Sequence, residues 1–349
     1  MLYKNLLESI GNTPLIKLKS DVSCGSIYAK LELMNPFGMK DRVAKQTVLS
    51  AKSSGELKEG MPIIESSSGT MACGLALVGR QLGHDVCIVT DPRIDSITYT
   101  KLKSLGCKVE IVQKMTKNGW QGARLERLNE LLQANPLAFW PRQYENIQNP
   151  LAYNDLAEEL EKDLGRIDYL VCGVGSGGSI SGTANALKKN NPKLNVVAVD
   201  SVGSVIFGQP DMPHRLQSGL GNSLVAPNVD FSIIDSVHWL NDDEAFLATN
   251  FLAKEEQVFG GNSSGSVYVV AQWLAKQVKA GTNIVVIFPD RGDRYVNTVY
   301  NSNYIESKSI YNFKDFKEPK LVNHKHEVSS WSYANLLGES VSNEENYIY

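Results

Sequence analysis

From about residue 26 to residue 300, short β-branched apolar runs alternate with longer stretches of helical period. The runs predict strands over residues 27–33, 62–65, 85–90, 108–112, 169–172, 195–200, 233–237 and 283–288. Between them, 3.6-residue spacing predicts helices over 39–53, 70–82, 97–105, 122–134, 150–164, 179–190, 242–256 and 266–279. Near-continuous apolar strands separated by helices indicate βαβ units, in parallel sheets covered on both faces. The fold class is therefore α/β, with two domains, each a mostly parallel twisted sheet flanked by helices.

With 349 residues the chain exceeds the roughly 250–300 at which single cores stop growing. The polar, proline-bounded stretch 140–150 is the best interdomain crossing. After Ile305 the pattern dissolves into Ser, Asn, Lys and Glu with scattered aromatics. Residues 306–349 read as an extension that drapes over the body or stays partly disordered.

Charge and cysteine usage narrow the partners. A net charge of −3 offers no basic field for nucleic acid or an anionic membrane. No apolar run nears the ~20 residues a membrane helix requires, and the N-terminus, with an early acidic residue and no long apolar core, does not read as a secretory signal. Five cysteines stand singly, which suggests reduced thiols, a cytoplasmic protein and no structural zinc.

Four loops at the carboxyl ends of predicted strands carry the candidate chemistry. Asn35-Pro36-Phe37-Gly38-Met39-Lys40 puts a lysine where a strand gives way to a helix, at the mouth of a parallel sheet. Gly173-Val174-Gly175-Ser176-Gly177-Gly178-Ser179 offers backbone N–H groups and hydroxyls to a phosphate. It is neither a Walker loop nor a complete GxGxxG fingerprint. Glu65-Ser66-Ser67-Ser68-Gly69-Thr70 has hydroxyls and helix-start amides suited to a carboxylate, though the same residues also serve as ordinary caps. Phe288-Pro289-Asp290-Arg291-Gly292-Asp293-Arg294-Tyr295 adds an acidic group. His84, His214 and His238 show no metal spacing and read as hydrogen-bonded or surface residues.

Taken in order, Ile10-Gly11-Asn12-Thr13-Pro14-Leu15, Lys40-Asp41-Arg42, Ser68-Gly69, Gly175–Ser179 and Gly292-Asp293-Arg294-Tyr295 resemble the cysteine synthase (O-acetylserine sulfhydrylase) family of fold-type II pyridoxal phosphate (PLP) enzymes. The resemblance covers about residues 1–305. It implies a large PLP-binding domain of residues 1–37 plus 146–305, a smaller mobile substrate domain of 38–145, and a homodimer. It makes Lys40 the Schiff-base lysine and proton carrier. The phosphate falls to Gly175, Ser176, Gly177, Gly178 and Ser179, and the substrate carboxylate to Ser67, Ser68, Gly69, Thr70 and Gln143. Gly219-Leu220-Gly221 matches the glycine loop facing the substrate amine. Two positions depart from the pattern. Thr70 replaces an asparagine near the cofactor's phenolic oxygen, and Asp290 stands where serine is usual beside the pyridine nitrogen.

Short words at 118–121, 206–210 and 237–239 resemble S-sulfocysteine synthases, and Arg215 is placed to meet an anionic leaving group or nucleophile. The implied reaction is β-replacement on O-phosphoserine or O-acetylserine by a sulfur nucleophile, giving cysteine or S-sulfocysteine. An amine nucleophile giving a 2,3-diaminopropionate-type product, a β-elimination, and a non-catalytic binding relative remain as alternatives.

Overall fold

The computed structural model describes residues 2–21, 23–117, 119–310 and 316–336. The chain enters through β1 (Leu15–Lys17) and β2 (Ser26–Lys30), and α1 (Lys40–Ser54) follows. It then alternates through β3 (Ile63–Ser66), α2 (Thr70–Gln81), β4 (Val86–Thr90), α3 (Ser96–Ser104), β5 (Lys108–Ile111) and α4 (Gly119–Ala134). After the crossing come α5 (Gln148–Leu151), α6 (Asn154–Leu164), β6 (Tyr169–Gly173), α7 (Gly178–Asn190), β7 (Asn195–Ser201) and β8 (Ser236–Leu240). The sequence closes with α8 (Asp242–Glu256), α9 (Asn262–Gln277), β9 (Asn283–Ile287), α10 (Ser302–Ser307), β10 (Lys320–Leu321) and β11 (Ser332–Asn335).

Two sheets result. Strands β3-β4-β5 form a three-stranded parallel sheet, and the other eight run in the order β1-β2-β9-β6-β7-β8-β11-β10. The large sheet is parallel from β2 to β8, with antiparallel additions at β1 and β11. Its central strands alternate between two apolar cores. Leu170, Cys172, Val196, Ala198, Val285 and Ile287 join Leu156, Leu160, Ile180 and Ala184 of α6 and α7. Val171, Val197, Val199, Ile284 and Val286 meet Leu252, Val267 and Val270 of α8 and α9. Both faces are covered, which is why these strands read as unbroken apolar runs.

Some expected boundaries shift. The strand expected at 233–237 forms at Ser236–Leu240, because Asp230 caps a short turn at Phe231–Ile233. The helix expected over 150–164 breaks at Ala152–Tyr153, and α9 starts at Asn262 instead of 266. The described part of the 306–349 extension takes the draped alternative. Strand β11 pairs antiparallel with β8, and Gln209 clamps the segment leading into it by accepting from Val328 N–H at 3.0 Å and donating to His326 C=O at 2.9 Å. Trp331 donates its indole N–H to buried His238 Nδ1 at 3.2 Å, and Tyr333 stacks on the same imidazole. Residues 337–349 and Asn118 of the 118–121 word lie outside the described residues. Among the described residues no helix is long and apolar enough to cross a membrane.

Candidate active site

Lys40 opens α1 and is aimed by two neighbouring turns. Asp41 accepts the N–H groups of Phe37 (2.7 Å) and Gly38 (3.3 Å), which ties the preceding loop to the helix start. Met39 N–H donates to Pro289 C=O at 2.8 Å, docking the same loop onto the one after β9. Gly38 has φ +137°, and a Cβ there would sit 2.9 Å from the Pro289 carbonyl, so only glycine fits. The Lys40 amine donates to Ser176 Oγ at 3.0 Å, and Asn149 Nδ2 donates to that same oxygen at 3.1 Å. Burial holds the Lys40 amine down at about 8, so the neutral form, a minority at pH 7, grows to half of the molecules near that pH.

The 173–179 loop lies directly beneath. Gly177 has φ +79°, and its Cβ would collide with Val229; a Cβ on Gly178 would sit 2.0 Å from Asn149 Oδ1. These two glycines are therefore fixed by packing against other segments. Gly175 is different: the nearest atom to its Cβ position is Gly219 C=O at 3.5 Å. The Gly219–Gly221 loop docks here through Gly221 N–H to Val174 C=O at 2.8 Å. Ser176 and Ser179 are nearly buried, and α7 begins at Gly178 with its first amides at the loop.

The 65–70 segment follows β3 and is tied to the crossing by Glu65. That buried carboxylate accepts from Ser66 N–H (2.7 Å), Trp140 Nε1–H (3.2 Å) and Gln143 N–H (3.2 Å). Gln143 Nε2 donates to Ser66 C=O at 3.0 Å, and Asn149 and Asn228 both donate to Gln143 C=O. Arg142, at φ +54° and stacked on Trp140, makes the turn that delivers Gln143. Ser67, Ser68, Gly69 and Thr70 thus share one turn at the start of α2, with Gln143 alongside.

Asp290 lies where the loops after β9 and around Gly38 meet. Its Oδ2 accepts from Arg294 Nη1 (3.0 Å) and Tyr295 OH (2.9 Å), while Oδ1 is buried with no partner. Burial pushes this carboxyl up, and Arg294 and Tyr295 pull it back. Arg215 is held within its own loop. It pairs with Asp211 at 3.1 Å, and its guanidinium also donates to Gly203 C=O, Met212 C=O and Ser223 Oγ, all within its own loop.

Sequence reasoning missed several residues here. Asn149 links Lys40's partner to Gln143, and its only sequence cue is the polar crossing. Asn262, Ser263 and Ser264 are buried at the start of α9, beside Gly261, whose Cβ would sit 2.2 Å from Asp290 Oδ1. The Gly260–Gly265 run carried the same glycine-and-hydroxyl signal as residues 173–179. Arg124 of α4 is buried with Nε unpaired, 3.5 Å from Asp91 without hydrogen-bond geometry. Its charge acts on the buried Tyr144 phenol, which bonds to Asn222 next to the glycine loop.

A lysine with a depressed basicity at the mouth of a parallel sheet, between a glycine-rich helix start and a hydroxyl-lined turn, defines a cofactor site of the fold-type II kind. Residues 6–290 match the model of the pyridoxal-phosphate dependent enzyme family, and the chain belongs to that family. It is an enzyme of the cysteine synthase type, and its cofactor is pyridoxal 5'-phosphate. It is 36% identical over 311 residues to N-(2-amino-2-carboxyethyl)-L-glutamate synthase of Ralstonia nicotianae, covering 87% of this chain and 92% of that protein. Among solved structures, a hydrogen sulfide-producing enzyme of Fusobacterium nucleatum is 31% identical with a TM-score of 0.79, covering 84% of this chain and 100% of that one. An O-acetylserine dependent cystathionine beta-synthase of Helicobacter pylori is 30% identical with a TM-score of 0.80, covering 86% and 100%.

Proposed function

We propose that this enzyme performs β-replacement on an O-activated L-serine, taking O-phosphoserine as donor and the amine of an amino acid as nucleophile. The observation that carries the choice of nucleophile is the relative at 36% identity, whose printed product joins a 2-amino-2-carboxyethyl group to glutamate. That group is the skeleton left when serine loses its β-oxygen substituent.

The residues present fit the cofactor. Gly175 leaves room at the loop, the α7 amides face it, and the unpartnered Asp290 Oδ1 suits a protonated ring nitrogen. Gly175, Ser176, Gly177, Gly178 and Ser179 are assigned to its phosphate, Lys40 to its carbonyl carbon, and Asp290 to its ring, with Gly261 as that carboxyl's neighbour. Bound there, PLP supplies the electron sink that stabilises negative charge at the substrate Cα.

The chain's own residues do the rest. Ser67, Ser68, Gly69 and Thr70 bind the substrate carboxylate through hydroxyls and helix-start amides, and Gln143 closes over it. Gly219 faces the substrate amine. Lys40, made less basic by burial, takes the Cα proton and later returns it. Arg215 is held by its own loop, so the cation assigned to a phosphate leaving group is Arg124, behind Tyr144. Two guanidiniums, Arg93 and Arg124, share the single carboxylate of Asp91, which leaves a positive charge for an anion. Residues 38–145 are assigned as the moving substrate domain against 1–37 plus 146–305.

A sulfur nucleophile is the second reading, and it rests on the solved structures at 30–31% identity that act on sulfur compounds. The deciding experiment offers the holoenzyme O-phosphoserine or O-acetylserine with L-glutamate, sulfide or thiosulfate in competition, and products are read by mass spectrometry. A dominant glutamate adduct from O-phosphoserine is expected. Cysteine or S-sulfocysteine as the sole product would install the second reading instead.

A further inference from the structure

One ion-pair cluster at the site is not used by any step above. Arg294, on the turn after β9, is 12% exposed and reaches two carboxylates at once. Its Nη1 donates to Asp290 Oδ2 at 3.0 Å, and its Nε donates to Asp95 Oδ2 at 3.3 Å. Asp95 lies on the other side of the site: it caps α3, which connects β4 to β5 of the three-stranded sheet, accepting from Thr98 N–H at 2.7 Å. The same guanidinium borders the carboxylate turn, since a Cβ on Gly69 would lie 3.6 Å from Nη2.

A single guanidinium neutralises one carboxylate. Two compete for it here, so whatever Asp95 takes is withdrawn from Asp290. The groups facing Asp290 are Arg294 and Tyr295 from its own turn, Tyr300 just beyond it, and Asp95 from α3. Of the charged ones, Asp95 alone lies on a helix that flanks the three-stranded sheet.

We propose that Arg294 is a positioning residue that links the two sheets, gripping Asp95 and Asp290 together so that the charge on Asp95 sets the proton affinity at the cofactor's ring end. The inference rests on the placement of Asp290 against that ring. When the sheets draw together the Asp95–Arg294 contact tightens, Asp290 loses part of its counter-charge, and the proton it shares with the ring is held more firmly. A more firmly protonated ring is the stronger electron sink. Closure over the substrate and activation of the ring thereby become one event, with Gly69 and Arg294 in contact at the junction.

Asp95→Asn separates the charge from the cap, because asparagine caps a helix as well as aspartate. The holoenzyme, rebuilt with PLP isotope-labelled at the ring nitrogen, is titrated by nitrogen NMR in wild type, D95N, D290N and the double variant. D95N should lower the midpoint by about half a pH unit or more, since a negative charge has been removed nearby. In the D290N background the same change should move it by less than half as much. Should D95N not fold, D95S keeps a capping hydroxyl and removes the carboxylate. An unchanged midpoint in D95N, or an equal shift in both backgrounds, overturns the link while leaving the Asp290 placement standing. A D290N midpoint identical to wild type overturns the placement and the link together.

Discussion

The amine of Lys40 and the hydroxyl of Ser176 are hydrogen-bonded at 3.0 Å, although 136 residues separate them in the chain. That contact joins the loop after β2 to the loop after β6, and it brings the reactive amine to the glycine-rich turn. The same hydroxyl accepts from Asn149, whose amide also donates to Gln143 C=O. Lys40, the glycine-rich loop and the 67–70 turn are thus connected through Ser176, Asn149 and Gln143.

The Lys40 basicity makes a kinetic prediction. Burial lowers the amine from its ordinary value to about 8, so the apoprotein gains neutral nucleophile as pH rises through that value. The linkage sign agrees: the unfolded chain holds this proton to higher pH, so burial costs stability below about pH 8, and that cost falls as pH rises further. Stopped-flow absorbance of PLP capture should show a rate rising roughly tenfold per pH unit below this midpoint and levelling above it. A rate that is flat from about pH 6 to pH 9 would contradict it.

Two glycines of the same loop should respond oppositely to alanine. Gly178→Ala drives a methyl into Asn149, so it should cost about 1–3 kcal/mol and lower the melting temperature of the apoprotein. Gly175→Ala meets nothing closer than 3.5 Å and should leave the melt unchanged, while weakening PLP binding where the methyl faces the phosphate. Calorimetry and cofactor titration separate the two effects.

Arg124→Gln tests the choice of donor. Loss of a charge-assisted contact costs about 1.5–3 kcal/mol, so KM for O-phosphoserine should rise roughly ten- to hundredfold. KM for O-acetylserine should stay within about twofold, because that ester presents no anion to the guanidinium. Equal losses with both donors would assign Arg124 a structural role.

Gln209 ties the C-terminal strand to the loop that carries Gly219. Gln209→Leu leaves Val328 N–H and His326 C=O without partners, a cost of about 1–3 kcal/mol. Amide exchange in Ser332–Asn335 should accelerate while the central strands β6 and β9 keep their protection. Uniform exchange across all strands would mean the tail folds cooperatively with the body.

Much of the fold could be read from the sequence because β6, β7 and β9 are buried on both faces, and such strands must be apolar throughout. The placement of Lys40, the glycine loop and the 67–70 turn at strand ends could be read because the strands and helices that flank them were legible. Glu65, Asn149 and Arg124 were not, because a polar residue's role depends on partners far away in the chain. Arg215 shows the reverse case, since an arginine near the glycine loop in sequence spends its hydrogen bonds on its own loop. The tail escaped because β11 has only four residues and takes its stability from Trp331, Tyr333 and His238 packed together, not from its own period.

The most direct test of the account is to reduce the holoenzyme with borohydride and map the modified peptide by mass spectrometry. The account predicts that the reduced cofactor is attached to Lys40, and that Lys40→Ala abolishes both the attachment and β-replacement while leaving the melting temperature of the apoprotein intact. Attachment at any other lysine, or full turnover by Lys40→Ala, would contradict it.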